Sequence, residues 1–182
     1  MLNKTINKTK LYLLQGDITR QATDAIVNAA NSGLMGGGGI DGAIHRAGGP
    51  AILDECKQIV SKIGRLPTGQ AVITTGGNLP AKHVIHTVGP IWRGGKNNEP
   101  ELLASAYRES LQLAVDNNLK TVSFPSISTG AYGYPIAPAA TIALQTVIDF
   151  LKSNDSLEEA RFVLFDESTS NAYERALKDL TD

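Results

Sequence analysis

Apolar positions along the chain follow two periods in alternation, which predicts an α/β fold. Six short apolar runs, bounded by glycine, proline or polar residues, have the pattern of strands buried on both faces. They are Leu11–Gln15, Ala25–Asn28, Ala71–Thr75, His83–Val88, Thr121–Phe124 and Arg161–Phe165. Between them lie segments with an apolar residue every three to four positions, the period of an amphipathic helix. These are Ile40–Ala47, Ala51–Ile63, Glu99–Val115, Pro138–Leu151 and Ser168–Leu180.

This alternation favours one three-layer α/β/α domain over residues 1–182. We expect residues 1–10, which are mostly polar, to be a short N-terminal extension with little regular structure. In such sheets, functional sites form where loops leave the carboxyl ends of the strands. Four polar or glycine-rich segments follow predicted strands and are expected to meet in one cleft: Gly16–Thr19, Asn28–Gly42, Ser126–Pro135 and Asp166–Glu167.

Composition and charge exclude several classes of protein. A net charge of -1 gives no electrostatic surface for nucleic acid or a membrane. The single cysteine, Cys56, excludes an internal disulfide framework, and its place on a helix's apolar stripe predicts a core residue. His83 and His86 lie three apart on one predicted strand and so face opposite sides, which argues against a metal site. Without a targeting segment, a cytoplasmic location is expected.

Glycine is the residue whose distribution points to a function. The chain has 18 glycines, and Gly36–Gly39 are consecutive. Gly37, Gly39 and Gly42 match the dinucleotide-binding pattern G-x-G-x-x-G, but eight residues separate the predicted strand from Gly37 and the expected acidic residue is missing. The glycines are therefore either a flexible turn or a loop whose backbone N–H groups bind phosphate at a helix N-terminus.

A second segment, Ser128–Tyr134, combines hydroxyls, two glycines and two aromatic residues. It is either a hydroxyl-rich connection to the next helix or a second phosphate loop. Two such loops facing each other could hold a diphosphate from both sides.

Candidate catalytic side chains lie beside the first glycine segment. Asp41 follows it directly, and His45 lies four residues later on the same helical face. Asp41 is either an acid that complements the helix dipole and pairs with His45, or a group that orients and polarises a water. Asn28 and Asn31 either form a turn or hold sugar hydroxyls through their carboxamides.

Five motifs occur in one order along the chain: Gly16–Thr19, Ile26–Asn31, Gly36–Arg46, Ser128–Pro135 and Phe165–Glu167. In this order they resemble the macrodomains, specifically the MacroD-type branch that includes bacterial O-acetyl-ADP-ribose deacetylases. The resemblance extends from about Leu11 to Leu177. It implies a three-layer α/β/α macrodomain fold with a mixed, mostly parallel six-stranded sheet.

The resemblance also implies a ligand, ADP-ribose, and a role for each matched residue. Adenine would meet Asp17, Ile18 and Phe165. The diphosphate would bind backbone N–H groups of Gly37, Gly38, Gly39 and Ile40 on one side and of Ser128, Thr129, Gly130, Ala131 and Tyr132 on the other. The distal ribose would face Asn28, Asn31, Asp41, His45 and Tyr132.

The implied activity is hydrolysis of ester-linked ADP-ribose by a positioned water, with Asp41 and Asn31 as the main catalytic residues and His45 as a secondary one. Substrates would be O-acetyl-ADP-ribose and proteins that carry mono-ADP-ribose on Asp or Glu. Attack at the acyl or at the anomeric carbon stays open. A reader module that binds ADP-ribose without turnover is the alternative, and a regulatory protein or RNA contact is more remote. We expect a monomer without cofactor, metal, membrane or nucleic-acid partner.

Overall fold

A seven-stranded mixed sheet forms the centre of the computed structural model, which describes residues 2–182. Its strands are β1 (Leu2–Ile6), β2 (Thr9–Gln15), β3 (Ala25–Ala29), β4 (Ala71–Thr75), β5 (His83–Thr87), β6 (Thr121–Phe124) and β7 (Glu159–Leu164). Their order across the sheet is β1-β2-β7-β6-β3-β5-β4. The five inner strands are parallel, and β1 and β4 pair antiparallel at the two edges.

Five helices cover the sheet: α1 (Gly39–Gly48), α2 (Pro50–Ile63), α3 (Glu99–Asp116), α4 (Ile136–Ser153) and α5 (Glu167–Thr181). Ile26 and Val84 belong to the buried cluster that includes α1 and α2. Their chain neighbours Val27 and Ile85 belong to the cluster that includes α3, α4 and α5. The inner strands are therefore apolar on both faces, as their continuous apolar runs predicted, and the α/β class is confirmed. Within residues 2–182, no helix has the length and apolar character needed to cross a bilayer.

The expectation of six strands and an N-terminal extension was wrong. Residues 2–6 form β1, a seventh strand, which pairs with β2. Leu2 and Ile6 are half-buried against the core, while the alternate residues face water, as on an edge strand with one solvated face. Asn7 turns the chain between the two strands with a φ of +54°, a left-handed conformation that asparagine tolerates. The polar residues that suggested an extension lie on the solvated face.

The helix bounds differ from the predictions by one or two residues at most ends. α4 begins at Ile136, so Pro138 falls in its first turn, as expected. α5 begins at Glu167 because Asp166 caps it, with its carboxylate accepting from the Thr169 N–H at 2.8 Å. The apolar stripe expected on α2 is only partly buried, and Ile63 is 48% exposed.

Candidate active site

The loops that follow the five parallel strands lie at one edge of the sheet, because parallel strands end on the same side. Four of these loops were expected from the sequence. The fifth, after β5, was not expected from the sequence to take part in the site. Trp92 is half-buried, and its ring centroid lies 4.7 Å from that of Tyr134. The backbone N–H of Trp92 donates to the Tyr132 carbonyl at 2.9 Å. This loop therefore supports the segment that contains Tyr132.

The first glycine loop ends at the N-terminus of α1. Gly38 is the N-cap, in an extended conformation with a φ of -93°. Among residues 2–182, no acceptor is found for the backbone N–H groups of residues 37–40. A Cβ added at Gly38 would meet no atom within 4 Å. Unpartnered donors beside open space at a helix N-terminus have the geometry of an anion site.

The second glycine loop has the same open character. The N–H groups of residues 128–132 have no acceptor within the described part of the chain, and a Cβ at Gly130 would meet nothing within 4 Å. Ser128 adopts a φ of +68°, a strained conformation for a serine. Its Oγ is buried without a hydrogen-bond partner in residues 2–182.

Two tyrosines from the helical layer hold this second loop in place. The Tyr107 hydroxyl, on α3, accepts from the Ile127 N–H at 2.9 Å and donates to the Pro125 carbonyl at 3.2 Å. The Tyr173 hydroxyl, on α5, donates to Ser126 Oγ at 2.9 Å. Burial raises the pKa of Tyr107 well above its ordinary value, so its hydroxyl remains a donor.

Replacing Tyr107 by phenylalanine should lower the free energy of unfolding by about 1–3 kcal/mol, because it leaves a buried N–H and a buried carbonyl without partners. Urea denaturation measures this change. Tyr12→Phe on β2 is the control, since no hydrogen bond of its hydroxyl is found in residues 2–182. Equal losses in the two variants would contradict the anchoring role of Tyr107.

Asp41 lies in the first turn of α1, 5% exposed. Its Oδ1 accepts from Asn28 Nδ2 at 2.8 Å and lies 3.4 Å from His45 Nε2. The predicted proximity of Asp41 and His45 is therefore confirmed. In the described chain, Oδ2 of Asp41 has no hydrogen-bond partner. One carboxylate oxygen is thus fixed, and the other is available.

The free oxygen of Asp41 faces the glycine loop together with Asn31. A Cβ placed on Gly37 would lie 3.2 Å from Asp41 Oδ2 and 3.4 Å from Asn31 Nδ2. Asn31 also holds its own turn, donating to the Gly36 carbonyl at 3.0 Å and accepting from the Gly33 N–H at 3.1 Å. The absence of a side chain at Gly37 leaves a space between a carboxylate and a carboxamide, directly beside the unpartnered N–H groups.

The far end of the edge carries Asp17, Ile18 and Phe165. Asp17 caps a short 3-10 helix, Ile18–Arg20, and its Oδ1 accepts from the Thr19 hydroxyl at 2.7 Å and the Thr19 N–H at 2.9 Å. These bonds lower the pKa of Asp17, so the carboxylate stays charged. Ile18 is buried, whereas Phe165 lies just beyond β7 and is 83% exposed.

The sequence also matches a family model: the Macro domain model covers residues 27–143. The chain belongs to the macrodomain family. The resemblance found in the motifs is thereby confirmed.

Relatives of this macrodomain are similar over nearly the whole chain. The O-acetyl-ADP-ribose deacetylase of Escherichia coli strain K12 is 56% identical, over 93% of this chain and 96% of its own length. A macrodomain of Oceanobacillus iheyensis, solved with ADP, superposes with a TM-score of 0.95 at 48% identity, covering 98% of this chain and 95% of that one. A Trypanosoma brucei macrodomain in complex with ADP-ribose has a TM-score of 0.84 at 41% identity, covering 92% and 68%.

Beneath Asn28, this macrodomain has a buried polar residue whose contacts the sequence pattern did not indicate. His86 on β5 is the register partner of Asn28 on β3, and its Nδ1 lies 3.1 Å from Asn28 Nδ2. Its Nε2 lies 2.9 Å from Thr74 Oγ1 and 3.9 Å from Cys56 Sγ. Cys56 is fully buried, as predicted, and burial, with the nearby Asp41 charge, raises the pKa of its thiol to about 11. The pairing of adjacent strands, which the sequence pattern does not reveal, brings these side chains together.

The side chain of Glu99 holds the loop after β5 of this macrodomain through hydrogen bonds to backbone N–H groups. Its carboxylate accepts from the N–H groups of Arg93 and Gly95, both at 2.9 Å, and of Asn97 at 2.6 Å. Burial alone would raise the pKa of Glu99, but these donors lower it to about 2. Within residues 2–182, no cluster of three or more His, Cys, Asp or Glu side chains is arranged to hold a metal ion.

Glu99→Gln should have a lower free energy of unfolding than the parent chain near neutral pH, and the difference between the two should decrease in acid. Because the folded-state pKa is depressed, the contribution of Glu99 is complete above its ordinary pKa of 4.5 and is lost as the pH falls toward about 2. Urea denaturation of both chains between pH 7 and pH 3 measures this difference in the free energy of unfolding. Glu101→Gln, two residues further along α3 and exposed, is the control. A difference that stays constant over this pH range would refute the role of the Glu99 charge.

Proposed function

We propose that this chain binds ADP-ribose at the carboxyl edge of its sheet and hydrolyses the acetyl ester of that ligand. The observation that carries the proposal is the arrangement at Gly37, where the free Asp41 Oδ2 and Asn31 Nδ2 flank an open space beside unpartnered backbone N–H groups. Such a site can bind a phosphate and orient a water at the same time. The E. coli relative named O-acetyl-ADP-ribose deacetylase supports the reaction.

The ligand groups are assigned by their position along the carboxyl edge of the sheet, which has Phe165 at one end and Asp41 at the other. We assign the diphosphate to the N–H groups of residues 37–40 and 128–132. Adenine belongs at the open end, where Phe165 is exposed and Asp17 Oδ2, 3.7 Å from Arg20 Nε, has no hydrogen-bond partner in residues 2–182. The distal ribose then belongs near Asp41, with its hydroxyls toward the carboxamide of Asn31. Asn28, expected to face the ribose, is fully buried and reaches this end of the site only through its hydrogen bond to Asp41 Oδ1.

In the proposed reaction, a water held between Asp41 Oδ2 and the ligand's phosphate attacks the ester. Its oxygen forms a new bond to the acyl carbon as the bond to the ribose oxygen breaks. One proton of the water passes to the departing ribose oxygen and the other is released as the acetic acid ionises, so the products are acetate, ADP-ribose and a proton. Asp41 orients the water and stabilises the positive charge that develops on it.

Acetate release from O-acetyl-ADP-ribose in ¹⁸O-water tests this function. We expect acetate to form and to carry the label, since acyl attack places the water oxygen there. Label in the ribose instead would show attack at the sugar carbon, and the acyl mechanism would be wrong. Tight ADP-ribose binding without acetate release would favour the reader module.

We further propose that the same site releases mono-ADP-ribose from aspartate and glutamate side chains of proteins. That linkage is also an ester of the distal ribose, so the water held by Asp41 can attack an acyl carbon in the same position. A peptide ADP-ribosylated on glutamate should lose its modification, while an arginine-linked peptide, which has no acyl carbon to attack, should keep it. Release from both peptides, or from neither, would contradict this extension.

We also propose that one chain forms a complete site and acts as a monomer. The proposal rests on the space at Gly37, whose carboxylate, carboxamide and backbone donors come from adjacent segments of this chain. Acetate release per chain should therefore stay constant on dilution, while sedimentation at the same concentrations reports the mass of one chain.

A further inference from the structure

A continuous line of buried side chains leads from the edge of the sheet to Asp41. Thr74 lies on β4, His86 on β5 and Asn28 on β3, and all three are at most 2% exposed. Thr74 Oγ1 and His86 Nε2 are 2.9 Å apart, His86 Nδ1 and Asn28 Nδ2 are 3.1 Å apart, and Asn28 Nδ2 is 2.8 Å from Asp41 Oδ1. Three neighbouring strands and one helix each contribute one residue.

The direction of every bond in this line is fixed from the Thr74 end. The Thr74 hydroxyl donates to the Thr75 carbonyl at 3.0 Å, so toward His86 it accepts. His86 therefore carries its proton on Nε2, and its Nδ1 is an acceptor. The Asn28 amide, which has two N–H donors, gives one to His86 and the other to Asp41.

This arrangement costs the fold some stability. Asn28 Oδ1 is buried and has no hydrogen-bond partner in the described chain. A buried unpaired oxygen is unfavourable, yet the opposite amide orientation would place that oxygen against the Asp41 carboxylate. Burial, with the charge of the nearby His45, lowers the pKa of His86 to about 3, so the ring stays neutral and remains able to accept.

We propose that Thr74 and His86 are positioning residues for ester hydrolysis, which orient the Asn28 amide and through it hold Asp41 Oδ1, leaving Asp41 Oδ2 directed at the reacting water. The inference rests on the proposed function. Neither residue lines the space at Gly37, and both act through Asn28. A carboxylate free to rotate would still allow ADP-ribose to bind but would place the water less accurately, and small misplacements of a reacting group slow a reaction strongly.

Thr74→Val tests the far end of the line, since valine keeps the shape of threonine and removes the acceptor for His86 Nε2. We expect kcat for acetate release to fall about tenfold, with KM and the ADP-ribose Kd within about twofold of the parent values. Thr74→Ser, which restores the hydroxyl, should return kcat to within about twofold. The nitrogen chemical shifts of His86, measured by NMR, should show the Nε2–H form in the parent chain and a mixture of ring forms in Thr74→Val.

A second pair of variants tests His86 directly. His86→Asn can present an oxygen to Asn28 in place of Nδ1 and should retain more kcat than His86→Leu, which cannot accept. An unchanged kcat in Thr74→Val would overturn the proposal, as would unchanged His86 nitrogen shifts. A parallel loss of kcat, ligand affinity and stability that serine does not restore would show a purely structural role. If the parent chain itself releases no acetate, the proposed function fails, which the parent assay shows before any variant is compared.

Discussion

Asp41→Ala should release acetate at least about a hundredfold more slowly than the parent chain while still binding ADP-ribose. A positioned acid–base group typically contributes a factor of about 10²–10⁴ to a rate. Asp41 is the charged side chain whose free oxygen faces the space at Gly37. The backbone donors assigned to the diphosphate are unaffected by the change, so affinity should fall only a few-fold. Single-turnover kinetics and calorimetric titration with ADP-ribose measure the two effects separately.

Two further variants make the result specific to the carboxylate. Asp41→Asn keeps an oxygen to accept from Asn28 but replaces the other by an amide, and it should be nearly as slow as Asp41→Ala. Asp54→Ala removes an exposed carboxylate from the adjacent helix and should have parent activity. Activity within about threefold of the parent chain in Asp41→Ala would mean that the water is positioned by other groups, and the mechanism would have to be abandoned.

Gly37→Ala should slow acetate release at least about tenfold, the second largest effect that we expect. The new methyl group would lie 3.2 Å from Asp41 Oδ2 and 3.4 Å from Asn31 Nδ2, in the space assigned to the reacting water and the ribose. Contacts this short displace their neighbours by a few tenths of an ångström. We therefore expect loss of kcat and of ligand affinity together, with little change in the free energy of unfolding.

Gly38→Ala is the matched control, one residue along the same loop. Its Cβ meets no atom within 4 Å, and its backbone conformation suits alanine. Because its methyl group would enter the open space assigned to the diphosphate and not the space between Asp41 and Asn31, KM should rise while kcat stays within about threefold of the parent value. Steady-state kinetics and thermal unfolding of both variants make the comparison. Equal losses of activity would show that the loop is sensitive to any side chain, and the space at Gly37 would have no special role.

Local pattern was sufficient to predict the parts of the site that lie on one segment. Asp41 and His45 are one helical turn apart, so their proximity follows from helix geometry alone. The consecutive glycines indicated a backbone loop because no side chain hides their N–H groups. The inner strands were also predictable, since burial on both faces produces runs without polar residues.

Features that depend on which strands are neighbours could not be found in this way. His86 lies 58 positions from Asn28 in sequence, and only the β3–β5 pairing places them together. Tyr107 and Tyr173 are ordinary members of apolar helix stripes until α3 and α5 pack beside the second loop. β1 was missed for a different reason: an edge strand shows its period of two only weakly when most of its residues are polar.

The exposure of Phe165 has a consequence for the heat capacity of binding. Phe165 is 83% exposed, so its ring is hydrated until the adenine that we assign to this end covers it. Removal of that apolar surface from water lowers the heat capacity, so the binding enthalpy becomes more negative as temperature rises. The hydrogen bonds at the Asp41 end do not make the binding enthalpy depend on temperature to a comparable extent. In the binding mode that we propose, the temperature dependence of the binding enthalpy therefore originates mainly at the adenine end of the ligand, and the hydrolysis takes place at the ribose end.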